Sequence, residues 1–477
     1  MGGILLVLGT VPLASALVCL WSSPLAGRSV TLLSGAVTFA GVLTLVPSGT
    51  TVALSGWLRV DALSEVFLGA VAFVYLATAL FVLGYVRPEA SSRHRRRFLA
   101  GFNLFAWAMV MAPLVNSLAL LWVAVEITTV VSALLVAIDG TDAAAEAAWK
   151  YLLIASIGLG LALLATVVLY QAGTSVLGSS YQASVPMLLR SASHFPATAV
   201  RLSVVLAVLG YGTKMGLVPV HTWLPDAHAE APTPVSALLS GALLAVSFYA
   251  ILRFYQISVR AIGPAFGREV LLGFGVASLG LGALLLASQR DLKRLLAYSS
   301  VEHMGMLAIG TSFSAPIATV GVLLHVLAHA AAKGTAFFGA GSVQQKFGSK
   351  DLASMQGAAS VLPWTGPMLM AAVLGLSALP PFGIFRSELF IVEGGLRTGS
   401  DTVAALVVVL VTLATLALSW FIGRTVLDDA PVGVRRGESS AWMAASMLLG
   451  LGALVVLGVH PPAALSHLLA RAATELR

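Results

Sequence analysis

Residues 210–220 read Gly-Tyr-Gly-Thr-Lys-Met-Gly-Leu-Val-Pro-Val. The stretch is apolar except for Lys214, and Pro219 follows shortly after it. Proline has no amide donor and clashes with the preceding turn, so a helix running through Gly210 breaks here. With the upstream residues, the segment 198–219 is long enough to cross a bilayer, which takes about 20 mostly apolar residues. A broken spanning helix with a lysine at the break is the feature that sets the fold class. A lysine in apolar surroundings readily changes its proton affinity, as a group that takes and releases a proton must.

The rest of the chain is of the same kind. Of 477 residues, 58% are hydrophobic and 10% charged, against about 25% charged in soluble domains. Mean hydropathy is +0.95. These values exclude an ordinary cytosolic enzyme, a disordered protein and a nucleic-acid binder. The lone cysteine, Cys19, excludes a disulfide framework, a cysteine zinc site and iron–sulfur ligation. Fourteen candidate spans are predicted, at 2–21, 28–46, 64–86, 98–112, 114–138, 147–171, 198–219, 232–256, 270–287, 297–311, 316–340, 362–394, 402–423 and 440–459. Residues 1–21 lack a basic leader and read as a first span rather than a signal peptide. The expected fold is all-α and polytopic, with about fourteen transmembrane helices.

Basic residues divide unequally between alternate loops. Fourteen fall on one side, including Arg87, Arg93, Arg95, Arg96 and Arg97; nine, including Arg59, Arg190 and Arg477, fall on the other. The richer side is expected to be cytoplasmic, which puts both termini outside an inner (plasma) membrane. The net charge of +7 thus reads as topology rather than as a site for a polyanion.

Ionisable residues at membrane depth are costly and usually mark an interior or wet path. Glu126 lies mid-span, with a buried structural glutamate as the alternative reading. Lys150 opens the sixth span, where snorkelling to the interface is the alternative. His325, His329 and Lys333 recur at intervals of four, on one face of a helix. A zinc site on the i, i+4 histidines is disfavoured, because no glutamate lies between them and Lys333 shares their face. A polar, water-bonding stripe fits better. His303 begins the tenth span. Glu388 follows a second break at Pro380–Pro381, with Arg386 two residues before it; Glu302 and Glu393 lie nearer span ends. Breaks beside ionisable groups in two halves of a chain, spans four to eight and nine to thirteen, indicate two inverted repeats with broken helices 7 and 12. The segment His221–Pro234 holds Asp226, His228 and Glu230, but its prolines indicate a rigid re-entry between spans.

The run from Lys214 to Gly241, Lys-Met-Gly-Leu-Val-Pro-Val-His-Thr-Trp-Leu-Pro-Asp-Ala-His-Ala-Glu-Ala-Pro-Thr-Pro-Val-Ser-Ala-Leu-Leu-Ser-Gly, resembles the signature of the antiporter-like proton-translocating subunits of complex I, group 4 membrane-bound hydrogenases and multisubunit cation/proton antiporters. Arg290–Ser300 and His325–Gly334 resemble two further blocks. Val301–Gly305 and His329–Gly334 are most similar to the F-type membrane component of hydrogenase-4, with the M-type component of complex I next. The resemblance implies an antiporter-like core over 96–430, preceded by helices 1–3 (1–95) and followed by helix 14 and a tail (431–477). It implies a proton path through Glu126, Lys214, His325, His329, Lys333 and Glu388, with Lys150, His303, His221 and His228 as secondary members. One departure stands out: where the family often carries a bridging lysine on helix 8, this chain has Ala245. The implied function is proton translocation coupled to redox chemistry in partner subunits, both membrane-embedded and soluble. A sodium/proton antiporter module, or a proton-coupling subunit of a non-redox complex such as one for inorganic carbon uptake, is the alternative. No cofactor, metal or nucleic acid is expected to bind this chain.

Overall fold

The computed structural model describes residues 2–85, 91–431 and 433–476. Arg87 and Arg477, used above for orientation, lie outside the described residues. The chain is a bundle of helices: α1 (Gly2–Trp21), α2 (Pro24–Leu45), α3 (Ala62–Gly84), α4 (Ser92–Leu114), α5 (Leu118–Val136), α6 (Asp142–Leu177), the short α7 (Val185–Ser191), α8 (Ala197–Met215) and α9 (Trp223–Glu230). Then come α10 (Thr233–Leu238), running through a π turn at 239–243 into α11 (Leu244–Ile262), α12 (Ala265–Leu286), α13 (Leu292–Ser312) and α14 (Pro316–Phe347). The remainder is α15 (Ala358–Val361), α16 (Thr365–Leu376), α17 (Gly383–Arg397), α18 (Asp401–Leu427), α19 (Ala441–Val459) and α20 (Ala463–Glu475).

Among the described residues, 11 helices are long and apolar enough to cross a membrane. The three expected spans that do not qualify are the broken seventh, the polar tenth and the broken twelfth. The chain is a multi-pass membrane protein, and the three exceptions include the segments of Lys214, Glu302 and Glu388. Local chemistry fixes the helix starts. Asp61, Thr141 and Asp291 each accept a backbone N–H three residues on, at 3.0, 3.1 and 2.9 Å, satisfying donors that a helix start leaves free. Proline opens α2, α10 and α14, where its missing N–H costs nothing.

Packing follows small residues. A Cβ at Gly210 of α8 would sit 2.5 Å from the Ala162 nitrogen of α6, and one at Gly305 of α13 would sit 2.5 Å from the Leu279 nitrogen of α12. Glycine at these positions lets two backbones touch, the usual device for helix association in lipid. The most apolar part of the α10–α11 helix is buried throughout, so it forms the centre of the bundle, whereas α18 lies mostly exposed on its outside.

Both breaks occur where expected. The first follows Gly216, which takes a left-handed φ of 87°. The carbonyls and amides it frees find new partners, as membrane depth requires. Trp223 Nε1 donates to Thr213 O at 2.7 Å, and Val218 N donates to Ser278 Oγ at 2.9 Å. At the second, between α16 and α17, Thr415 Oγ1 donates to Ser377 O at 3.0 Å. α8 lies along α6, and α17 lies along α14.

Three details depart from the sequence reading. A two-stranded antiparallel hairpin, Thr51–Ala53 with Leu58–Val60, interrupts the all-α pattern between α2 and α3. The expected re-entry at 221–234 contains a two-turn helix, α9, with Pro225 tolerated in its first turn. The expected tail is the helix α20, whose Glu475 accepts from both Ala62 N and Leu63 N at 3.1 Å. Arg471 reaches Glu65 at 3.2 Å and Val46 O at 3.0 Å. Beside this clamp, Arg253 donates to Asp61 at 2.5 Å with both side chains buried. Burial opposes ionisation of Asp61, but the Arg253 guanidinium outweighs it and holds the carboxyl below its ordinary range. Glu475 is pushed the other way, first by burial and then by the charge of Asp61.

Candidate functional site

The first group forms where α5, α6 and α8 meet. Lys214, in the last turn of α8, is wholly buried. Its Nζ donates to Thr129 Oγ1 of α5 at 2.9 Å and to the Tyr151 hydroxyl of α6, and lies 4.5 Å from the centre of the Tyr151 ring. Tyr151 also shares a hydrogen bond with Ser132 Oγ, 2.7 Å away. Glu126 is half-buried; Ser156 donates to its Oε1 at 3.5 Å, and its Oε2 has no partner. Glu126 and Lys214 therefore do not touch. Thr129, three residues beyond Glu126 and so on the same face of α5, meets Lys214 instead.

Lys150 does not face this group. It pairs with Glu146, one turn back on the surface of α6, and its neighbour Tyr151 makes the contact instead. The snorkelling reading fits its placement. Neither Tyr151 nor Thr129 is ionised, so neither stands out in the sequence.

The second group forms where α13, α14 and α17 converge. Lys333 Nζ donates to Leu296 O at 2.8 Å and to Ser299 Oγ. His325 Nε2 and His303 Nδ1 are 3.2 Å apart, and His325 Nδ1 is 2.9 Å from Ser387 Oγ. His329 lies edge-on to His303, with ring centres 5.3 Å apart. Glu302 and Glu388 approach His303 Nδ1 at 3.6 and 3.9 Å. Glu302, read from the sequence as close to a span end, is buried in mid-helix. Asp291 is the cap that begins this helix, and reading it so places Glu302 three turns inside. Arg386 turns away from Glu388 to the carbonyls of Gly458 and Val459, as i, i+2 spacing requires. Glu393 pairs with Arg397 at the surface.

Two serine contacts adjoin the second group on α13. Ser240, in the π turn just before the buried Ala245, shares a hydrogen bond with Ser300 at 2.9 Å. Ser299, beside it on α13, accepts from Lys333. A π turn inserted in a helix often marks a functional position, and here it presents a hydroxyl close to the position where the resemblance implies a lysine.

His228 is wholly buried, stacks on Phe337 with ring centres 5.0 Å apart, and has no hydrogen-bond partner on either nitrogen. His221 is buried edge-on to Tyr298. The acids of this stretch do not gather on the histidines. Asp226 pairs with Arg294 at 2.5 Å and Glu230 with Lys350 at 2.8 Å. An open cavity of about 380 Å³, whose lining includes Asp139, Glu230, Lys293, Gln344 and Lys350, lies at this end of the bundle.

Residues 115–414 match the family described as NADH:quinone oxidoreductase/Mrp antiporter, TM. The chain belongs to that family. Within it, the chain is 36% identical over 389 residues to a hydrogenase-4 component F homologue of Methylacidiphilum infernorum, covering 80% of each chain. It is 32% identical over 438 residues to NADH-quinone oxidoreductase subunit N of Desulforudis audaxviator, covering 87% of this chain and 86% of that one. The fold matches a chain in the structure of the membrane-bound sulfane sulfur reductase, an archaeal respiratory membrane complex, with a TM-score of 0.87 and 22% identity over 99% of this chain and 97% of that one. The family's members include antiporter-like, proton-translocating membrane modules, and the matching block takes in both broken helices and both buried groups.

Proposed function

We propose that the chain moves protons across the membrane as a subunit of a multisubunit respiratory complex of the hydrogenase or NADH-quinone oxidoreductase kind. Redox chemistry resides in partner subunits, some membrane-embedded and some soluble. The carrying observation is the pair of buried polar groups, Lys214 with Thr129 and Tyr151 on one side and Lys333 with Ser299 beside the His303–His325–Glu388 cluster on the other, with a buried Ser240–Ser300 contact in addition. Buried polar groups in hydrocarbon are expensive, and a structural role does not require so many.

In this reading Lys214 holds a proton between two hydroxyls. A charge from a neighbouring subunit acts on Glu126, which has an unpartnered oxygen and only partial burial, and thereby changes the proton affinity of Lys214. A change of one pKa unit is about 1.4 kcal/mol, so a rearrangement of one or two charge-assisted hydrogen bonds is sufficient. The serines replace the bridging lysine absent at Ala245. Hard cations such as sodium prefer cages of oxygen ligands, whereas the second group is rich in imidazole nitrogen, so the proton is favoured over sodium. The loop asymmetry of basic residues supports a plasma-membrane protein with both termini outside.

The test uses the whole complex in proteoliposomes. Glu126→Gln and Lys214→Met are expected to abolish proton pumping per electron transferred. Undiminished pumping at a normal electron-transfer rate would overturn the proposal. Sodium movement that persists without any redox partner would favour the antiporter reading.

A further inference from the structure

Three helices bring imidazole and carboxylate donors to one point. His303 Nδ1 of α13 lies 3.2 Å from His325 Nε2 of α14 and 3.9 Å from Glu388 Oε1 of α17. One donor atom from each residue falls within 4.8 Å of the others. Both histidines are wholly buried and Glu388 is 6% exposed. Glu388 Oε1 has no hydrogen-bond partner. A carboxylate oxygen so deeply buried is costly unless something occupies its lone pairs.

The geometry points to a zinc-binding site made by His303, His325 and Glu388. Two imidazoles and one carboxylate are a donor set for zinc that leaves a fourth position open. Zinc ligands at about 2.0–2.2 Å stand roughly 3.3–3.5 Å apart around a tetrahedron. The separations from His303 Nδ1 are 3.2 and 3.9 Å and the third lies within 4.8 Å, so closing onto an ion asks for shifts of up to about one ångström. His325 is already oriented for this, because Ser387 Oγ holds its Nδ1 at 2.9 Å and leaves Nε2 to face the cluster. Ligating histidines are commonly fixed in this way through the other nitrogen.

The i, i+4 pair His325–His329 argued against a metal, but the pair that meets is His303–His325. Lys333 opposes a cation, yet its ammonium is directed to Leu296 O and Ser299 Oγ. Glu302, 3.6 Å from His303 Nδ1, adds a second carboxylate. Bound zinc occupies the His325 nitrogen that faces His303, so it blocks proton passage there; this consequence rests on the reading above, whereas the binding does not.

The complex containing the full chain is stripped with chelator, exposed to zinc chloride and desalted. Its zinc is then counted and its ligands are read by X-ray absorption at the zinc edge. One zinc per chain with two imidazole ligands is expected, lost in the His303→Ala, His325→Ala double variant. Ser387→Ala is expected to weaken affinity about 10–100-fold. A double variant that keeps the same zinc, or a parent complex without imidazole-bound zinc, overturns the site. If the double variant does not assemble, Ser387→Ala and His325→Asn decide, and unchanged affinity in both overturns it. Pumping by the chelator-stripped complex tests proton transport independently.

Discussion

Lys214 Nζ donates to Thr129 Oγ1 at 2.9 Å, and Thr129 stands one turn from Glu126 on the same helix. The lysine thus meets α5 through a hydroxyl, with the carboxylate held off. Thr129→Val keeps the shape and removes the acceptor. A hydrogen bond to a charged group is worth about 1.5–3 kcal/mol, so pumping in proteoliposomes is expected to fall about tenfold or more. Tyr151→Phe, which removes the other acceptor, should act in the same direction. An unchanged pumping rate in both variants would leave Lys214 without the role given to these hydroxyls.

Glu302 predicts a contrast with Glu393. Glu302 is buried beside His303, whereas Glu393 pairs with Arg397 at the surface. Glu302→Gln is expected to reduce pumping to near background, as is Glu388→Gln. Glu393→Gln should retain it, because exposed ion pairs contribute about 0–1 kcal/mol. Equal pumping by Glu302→Gln and Glu393→Gln complexes would contradict the assignment.

The Asp61–Arg253 pair predicts a pH-dependent stability. Asp61→Asn leaves the Arg253 charge buried without its partner, which costs about 3–5 kcal/mol. The Asp61 carboxyl titrates below its ordinary value because Arg253 outweighs burial. Its stabilisation is therefore complete above the unfolded value of about 3.9 and is lost as pH falls through the lower folded value. Glu475, raised by burial and by Asp61, has the opposite sign, so its stabilisation declines as pH rises. Thermal melting in detergent should show a wide gap between parent and Asp61→Asn at neutral pH that narrows only in acid. A gap of constant width from neutral to strongly acid pH would refute the linkage.

Gly210→Val tests the α6–α8 contact. The added atoms meet the Ala162 nitrogen at 2.5 Å and the Gly158 oxygen at 2.7 Å, both backbone. Overpacking typically costs about 1–3 kcal/mol, and neither backbone atom can rotate aside. A lower melting temperature and reduced assembly of the complex are expected, read by melting and by co-purification.

Much of this was legible in the residues. Pro219 and Pro380–Pro381 located both breaks, because proline's lost donor acts locally. Glu126, Lys214, Lys333 and Glu388 were identifiable because a charge in an apolar run stands out. The convergence of His303 with His325 was not, since it depends on α13 and α14 crossing at those turns, which no spacing along one helix encodes. Thr129, Tyr151, Ser240 and Ser300 were hidden for a different reason. Hydroxyls are common in spanning helices, where they bond their own backbone, and only a partner on another helix distinguishes these four. α20 is not legible because its polar groups are matched to Ala62, Leu63, Glu65 and Val46, far away in the chain.

That last contact orders events in time. Ala62 and Glu475 are 413 positions apart, and the amides at the head of α3 receive their carboxylate acceptor only from α20. During synthesis the third helix must wait, its first turn uncapped by this group, until nearly every later span has been made and inserted. A chain halted before α20 carries both buried groups and lacks the carboxylate that joins α20 to α3.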